Sequence, residues 1–344
     1  CARCIHVHPM IGWHKAAREV RQKGYAHEDD LVLGSWIARV YSDQLRYIDF
    51  LRAHFRQETA APAPCAHPHP ARIRLIHCDA GHPAFQDAIP EDSVSVESAG
   101  NGKILVATPL LRTLALRTGR RQEITMFLLG DTADDSVLTM HFAVVFRRVL
   151  LEFGLFYLHA GAVAWNGRVS LFIGEKGAGK STICLRLGQE GACLLSEDHV
   201  LVRRRRGRYL VSGSDRIARV TCETERFLFT APLGTESRDF AGIAKKEFLT
   251  TDLFRCDHFR DYAMQNVFFP RIGREFSIRP MAEAAAALKL LTGNKHGLRF
   301  MGRTDYDHFL EFFTGMVAGK RIFDLELSPD PRDLNQLVEF LRHE

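Results

Sequence analysis

Apolar positions in the first part of the chain recur at steps of three and four residues. Trp13, Ala16, Ala17 and Val20, followed by Leu31, Leu33, Ile37, Val40, Tyr41, Leu45, Ile48 and Leu51, predict a helical N-terminal segment over 1–57. The next stretch, ETAAPAPCAHPHPA at 58–71, carries four prolines and reads as a stiff extended linker reaching to residue 72. From Ile73 the period shortens. IRLIHC, SVSVES and KILVATP alternate or run apolar for a few residues between Gly and Asn positions, and MFLLG at 126–130 adds one more short strand. VLTMHFAVVFRRVLLEFGLFY at 137–157 is mostly apolar and predicts a long helix. Residues 73–150 thus form a small mixed α/β domain, and 151–344 a second, larger one.

The larger domain opens on a hairpin pattern. Ala160–Ala164 and Arg168–Ile173 are apolar runs joined by Asn166-Gly167, the strongest short hairpin signal. SLFIG then leads into STICLRLGQEG, a helix that ends at Gly191, and CLLSEDHVLV is a further strand with acids at its tip. YLVSG, ARVTC and AMQNVFFPRIG (263–273) are strand-like, MAEAAAALKLLTG is helical, and Asp330-Pro331 starts a terminal helix over PRDLNQLVEFLRHE.

Chemistry concentrates around that hairpin. Gly174, Glu175, Lys176, Gly177, Ala178, Gly179, Lys180 and Ser181 match G-x-x-x-x-G-K-[ST] at every position, with a strand before and a helix after. Glycines let backbone N–H groups turn inward on phosphate oxygens, and the helix N-terminus adds its positive end. Lys180 would reach the β- and γ-phosphates of ATP, Ser181 would ligate Mg²⁺, and Thr182 continues the cradle. Glu197 and Asp198 sit where an open α/β sheet gathers ligand chemistry. Two adjacent carboxylates allow one to hold metal while the other accepts a proton from an attacking hydroxyl. Either could instead be a spectator beside a metal-only site. His159 stands fifteen positions before the loop, and a histidine beside a strand can serve structure alone.

Composition narrows the class only a little. The chain has 344 residues, 46% hydrophobic and 25% charged, with a formal charge of +5. This is an ordinary globular balance, mildly receptive to anions. No run approaches the roughly 18–20 apolar residues of a membrane span, and no charged-then-apolar leader pattern is visible, so a cytoplasmic protein is expected. The eight cysteines (Cys1, Cys4, Cys65, Cys78, Cys184, Cys193, Cys222 and Cys256) show no disulfide spacing.

The series His159, Val163, Gly167, Gly174, Gly179, Lys180 and Ser181, followed by an apolar strand and an acidic pair, resembles the HPr kinase/phosphorylase family. It is most similar to the shorter relatives that include peptide serine kinases. The resemblance covers roughly 155–275. It implies an α/β fold: a P-loop kinase domain of HPr-kinase/PEP-carboxykinase type, preceded by the smaller α+β domain and the helical N-terminal segment. It implies ATP and Mg²⁺ as cofactors, Asp198 as the base, His159 as its support, Lys180 on the phosphates, and Ser181 with Glu197 on the metal. The family more often has Asp at the first acidic position, which agrees with placing the base on Asp198. Its long glycine-rich signature is not recognisable here, so the resemblance does not extend to phosphorolysis or to HPr as acceptor.

Other features carry less. Lys245 and Lys246 stand where, by the same resemblance, related proteins often carry a basic pair near the phosphates, which could steady a transferring phosphoryl group, and Arg271 has a weaker version of that role. RRRRGR at 203–208 reads as a solvated hairpin tip, because no aromatic interleaving points to nucleic acid. CARCIHVH, CAHPHP and HCDAGH lack the second well-spaced pair of a zinc site. Asp131, Asp134 and Asp135 read as a solvated loop. The expected activity is ATP/Mg²⁺-dependent phosphorylation of a hydroxyl, a serine on a peptide or small protein. No nucleic acid or membrane partner is expected, and a homo-oligomer is allowed. The alternatives are an NTPase switch with no acceptor, or a small-molecule kinase acting on a free serine-type alcohol.

Overall fold

The computed structural model describes residues 24–54, 71–78, 103–108, 113–117, 123–129, 146–214, 216–238, 243–256, 260–294 and 303–343. They form a mixed α/β fold with three sheets, grouped in two compact units whose main boundary in sequence falls between Gly154 and Leu155, with Leu33–Trp36 grouped in the second unit and residues 303–306 in the first. No described helix is long and apolar enough to cross a membrane. Among the described residues, Cys78, Cys184, Cys193, Cys222 and Cys256 form no disulfide.

The first unit is built on a six-stranded sheet. Its strands are β1 (His27–Leu33), β2 (Trp36–Ser42), β3 (Ala71–Cys78), β4 (Lys103–Thr108), β5 (Thr113–Arg117) and β6 (Glu123–Leu129), in the order β1-β2-β3-β6-β5-β4. Helices α1 (Leu45–His54) and α2 (Arg147–Glu152) complete it. β2, β3 and β6 run parallel, and β6, β5 and β4 form an antiparallel meander. The helical reading of 1–57 is corrected for its described residues: 27–42 are a hairpin, and among the described residues of this segment only 45–54 are helical. Leu31, Leu33, Ala38 and Val40 are buried while Val32, Ile37 and Arg39 beside them are not. That is a period of two broken by the Gly34-Ser35 turn, and across the turn it imitates three- and four-residue steps. The hairpin is hydrogen-bonded into the same sheet as β3 and β6, so it is not a separate appendage. The helix read over 137–157 is likewise shortened to 147–152 among the described residues. Gly154, at φ +73°, reverses the chain and Leu155 begins a strand. Of the linker read to residue 72, Ala71 and Arg72 instead open β3; residues 58–70, SVSVES, Asp131, Asp134, Asp135 and the first two Cys/His clusters lie outside the described residues. Of the third cluster, His77 Nδ1 meets Tyr47 OH at 2.9 Å.

The second unit holds the glycine-rich loop. Its main sheet comprises β7 (Leu155–His159), β8 (Gly161–Trp165), β9 (Arg168–Phe172), β10 (Cys193–Ser196), β11 (His199–Arg205), β12 (Arg208–Gly213), β16 (Tyr262–Ile272), β17 (Ser277–Pro280) and β18 (Arg321–Leu327). The path is β10-β8-β9-β16-β12-β11-β7, and β18 pairs with both β16 and β17. A small antiparallel sheet, β13 (Ile217–Val220), β15 (Ala244–Leu249) and β14 (Thr235–Arg238), accompanies it. The helices are α3 (Lys180–Gln189), α4 (Cys222–Leu228), α5 (Glu283–Gly293), α6 (Arg303–Val317) and α7 (Pro331–Arg342). β8 and β9 turn at Asn166-Gly167 with φ of +49° and +78°, the primed geometry that suits a right-twisted hairpin. Asp330 caps α7 by accepting from Arg332 N at 2.9 Å. α6 and β18 had no separate assignment in the sequence pattern.

Two connections force the main sheet to curl. β7 and β8 lie five strand positions apart on the path, about 24 Å on a flat sheet, yet only Ala160 separates them in sequence. One residue spans about 7 Å at most. Glu197 and Asp198 make the same jump from β10 to β11. The two ends of the path must therefore approach each other, forming a seam crossed by Ala160 and by the acidic pair.

The core beside the seam is apolar. Ile183, Cys184, Leu185 and Leu187 of α3 pack in one buried cluster with Phe172, Phe268 and Phe323. These rings are register partners on β9, β16 and β18 and stack at 5.2 and 5.0 Å. Such pairs add about 0.5–1.5 kcal/mol each beyond their burial.

Candidate functional site

At the loop end, β9 stops at Phe172, Ile173 and Gly174 lead out, and α3 begins at Lys180. Gly177 and Gly179 hold φ of +86° and +89°, a region that glycine enters without steric cost. A side chain on Gly174 would stand 3.0 Å from Ala178 Cβ and 3.2 Å from the Pro270 carbonyl oxygen, so the loop also needs glycine where it passes β16. Gly179 is the N-cap residue of α3 and no side chain caps the helix, which leaves its first amides facing the loop. Glu175, Lys176 and Gly177 are exposed, Ala178 and Gly179 half-buried, and Lys180 buried. Lys180 Nζ donates to the carbonyls of Gly174 at 2.8 Å and Glu175 at 3.1 Å. Burial drives this ammonium below its usual range, and the negative charges of Asp198 and Glu197 oppose the shift. The loop lysine therefore feels both acids of the pair.

At the seam end, the same acids are fixed by residues distant in sequence. Glu197 is 4% exposed. Its Oε2 accepts from Ser181 Oγ at 2.6 Å and its Oε1 from the Arg219 backbone N–H on β13 at 2.9 Å. Ser196 Oγ accepts from the backbone N–H groups of Asp198 (3.3 Å) and His199 (3.1 Å), which sets the turn between β10 and β11. His159 ends β7 and His199 begins β11, and they are antiparallel register partners. Directly opposed residues share a face, and Asp198 lies between their rings. His159 Nδ1 meets Asp198 Oδ1 at 2.9 Å, and His199 Nδ1 meets Oδ2 at 2.9 Å. Behind His159, its backbone N–H donates to Asn294 Oδ1 at 3.2 Å, at the C-terminal end of α5.

The charges follow from this packing. Burial would raise the Asp198 carboxyl, but the His199 charge and the hydrogen bonds from His159 and His199 outweigh it and hold the group well below the usual carboxylate range. Burial lowers the His159 imidazole, and its bond to Asp198 only partly offsets that. Asp198 is thus ionised at neutral pH beside a largely neutral His159.

Lys180, Ser181, Glu197, Asp198 and His159 are brought together. Thr182 is turned aside, its hydroxyl 3.4 Å from Thr224 on α4. Lys246 faces Glu236 across β15–β14 at 3.3 Å, and Lys245 lies on the same strand. Arg271 follows Pro270 beside the loop, but its guanidinium pairs with Asp324 at 3.4 Å and with Glu326. Arg204, Arg205 and Arg206 form an exposed hairpin tip between β11 and β12. His199, Ser196, Asn294 and the Arg219 amide had no assignment in the sequence. His199 was visible only as the residue after the acidic pair.

Among the described residues, His159, Asp198 and His199 also form the group whose donor atoms lie within 4.8 Å of one another. No family model matches the chain, and no curated protein does. Among solved structures, the chain is similar to the HPr(Ser) kinase/phosphatase from Coxiella burnetii, with 11% identity and a TM-score of 0.29, over 54% of this chain and 94% of that one. A likeness that low assigns neither family nor function.

Proposed function

We propose that this protein is an ATP/Mg²⁺-dependent phosphotransferase that moves the γ-phosphoryl group to a hydroxyl, a serine on a peptide or small protein. The observation that carries the reading is the convergence on one loop of a buried lysine, a serine–glutamate pair at 2.6 Å and a second, ionised carboxylate.

Ser181 Oγ and the Glu197 carboxylate are hard oxygen donors side by side, a set suited to Mg²⁺. Mg²⁺ there would neutralise charge developing between the β- and γ-phosphates. The positive-φ glycines and uncapped start of α3 direct backbone N–H groups toward an anion. Lys180 exchanges its bonds to the loop carbonyls for phosphate oxygens. Asp198 accepts the proton of the acceptor hydroxyl while that oxygen bonds to the γ-phosphorus. The bond from phosphorus to the bridging oxygen breaks, and its electrons leave with ADP. A loose transition state asks more of the orientation of the base than of its basicity, so a carboxylate held at low pKa remains competent. Neutral His159 holds one oxygen of that base in place.

The test is incubation with γ-labelled ATP and Mg²⁺ alongside serine peptides, free serine and water alone. Label on a peptide serine is the expected outcome. Release of inorganic phosphate with every acceptor ignored would replace this reading with an NTPase, and label on free serine with no peptide present would replace it with a small-molecule kinase.

A further inference from the structure

The sequence points to one histidine beside the acidic pair; the structure holds two. We infer that His199 is a positioning residue that, with His159, clamps both oxygens of Asp198, so that the base is a carboxylate held between two imidazoles. The inference rests on the reading of Asp198 as the base. Several observations support it. His199 Nδ1 lies 2.9 Å from Asp198 Oδ2 while His159 Nδ1 takes Oδ1 at the same distance. An ionised carboxylate only accepts hydrogen bonds, so both Nδ1 atoms carry the proton. The His199 ring is held independently. It stacks on Tyr157 at 4.9 Å with planes 11° apart, its backbone N–H bonds Ser196 Oγ at 3.1 Å, and its carbonyl accepts from Ser214 Oγ at 2.8 Å. A ring fixed by its stack and on both sides of its backbone can fix what it touches.

The clamp has a geometric consequence. With one imidazole, rotation of the carboxylate about its Cβ–Cγ bond breaks one hydrogen bond; with two donors on opposite oxygens, it breaks two. Each oxygen retains a second lone pair, so an acceptor hydroxyl can still donate to it. The role of His199 is therefore orientation, and its loss falls on turnover more than on nucleotide affinity.

Two substitutions separate this role from a packing role. His199→Asn keeps an N–H donor near the Nδ1 position and loses the stack; His199→Phe keeps the stack on Tyr157 and loses the donor. The clamp predicts that Phe lowers kcat by about 10- to 100-fold, the scale of a misaligned catalytic group, at unchanged KM for ATP. Asn should recover most of that loss. Equal activity of the Phe variant, or greater loss in Asn than in Phe, would overturn it. A second measurement needs no acceptor: the imidazole Nδ1 protons of the resting protein, read by NMR. Two downfield, exchange-protected signals are expected, one of them lost in His199→Phe. If neither proton is present until a chelator is added, the three residues are a metal centre and the clamp is wrong. Wild-type protein that transfers no phosphoryl group would refute the kinase reading instead, leaving the clamp to be decided by those resonances.

Discussion

The two ends of the site are built differently. The loop end is one contiguous segment, Gly174 to Ser181, whose shape comes from its own backbone: glycines at φ of +86° and +89°, and a lysine bonded to carbonyls five and six residues behind it. The seam end takes His159 from β7, the acids from the β10–β11 turn, His199 from β11, a backbone amide from β13 and a cap from α5. Local geometry makes the first, and the closure of the sheet makes the second. The loop should thus survive changes that loosen the seam, while the seam depends on packing far from any phosphate.

Lys180→Ala breaks the loop end alone. Removing one charged hydrogen-bond donor costs about 1.5–3 kcal/mol, or roughly 10- to 100-fold in ATP affinity by calorimetry, with the melting temperature little changed. A smaller effect should appear at the seam on acidification. His159 titrates below its ordinary value of 6.5 because it is buried, so turnover should be flat above that pH and fall beneath it as the imidazole charges. Because the folded state holds this proton less tightly than the unfolded chain, stability is present above pH 6.5 and declines as pH falls toward the lowered value. Replacing His159 with Asn should remove that acid limb from both profiles, while an unchanged limb would assign it to another group. The smallest effect concerns Gly161, which enters β8 directly after the seam crossing. A side chain there would stand 2.5 Å from Cys184 Sγ and 3.4 Å from the Glu197 carbonyl oxygen. Gly161→Ala should cost about 1–3 kcal/mol in denaturant unfolding, the usual penalty of overpacking, and lower turnover before it weakens ATP binding. Equal losses in both would show that the two ends are not separable.

The same contrast explains what could be read from the sequence. The loop was legible because its signal lies in eight adjacent residues flanked by a strand and a helix. The acidic pair was legible as chemistry at a strand tip, though not its neighbours. His199 stands one residue beyond Asp198, but its role depends on β11 pairing with β7 in the register that sets it opposite His159, and that pairing exists only once the sheet curls. Asn294 and Arg219 act through an α5 cap and a backbone N–H, neither of which leaves a pattern. The misread segments fail for local reasons. Around Gly34-Ser35, two alternating strands mimic helical spacing, and 149–157 carries a single charge, Glu152, in an otherwise apolar run, so no period marks the change to strand at Leu155.

The most direct test of the account is labelled phosphoryl transfer by Asp198→Asn, measured with the ATP dissociation constant in the same preparation. The account predicts ATP affinity within about twofold of wild type and transfer reduced by about 10²–10⁴-fold, the range for loss of a general base. Transfer at the wild-type rate would contradict it.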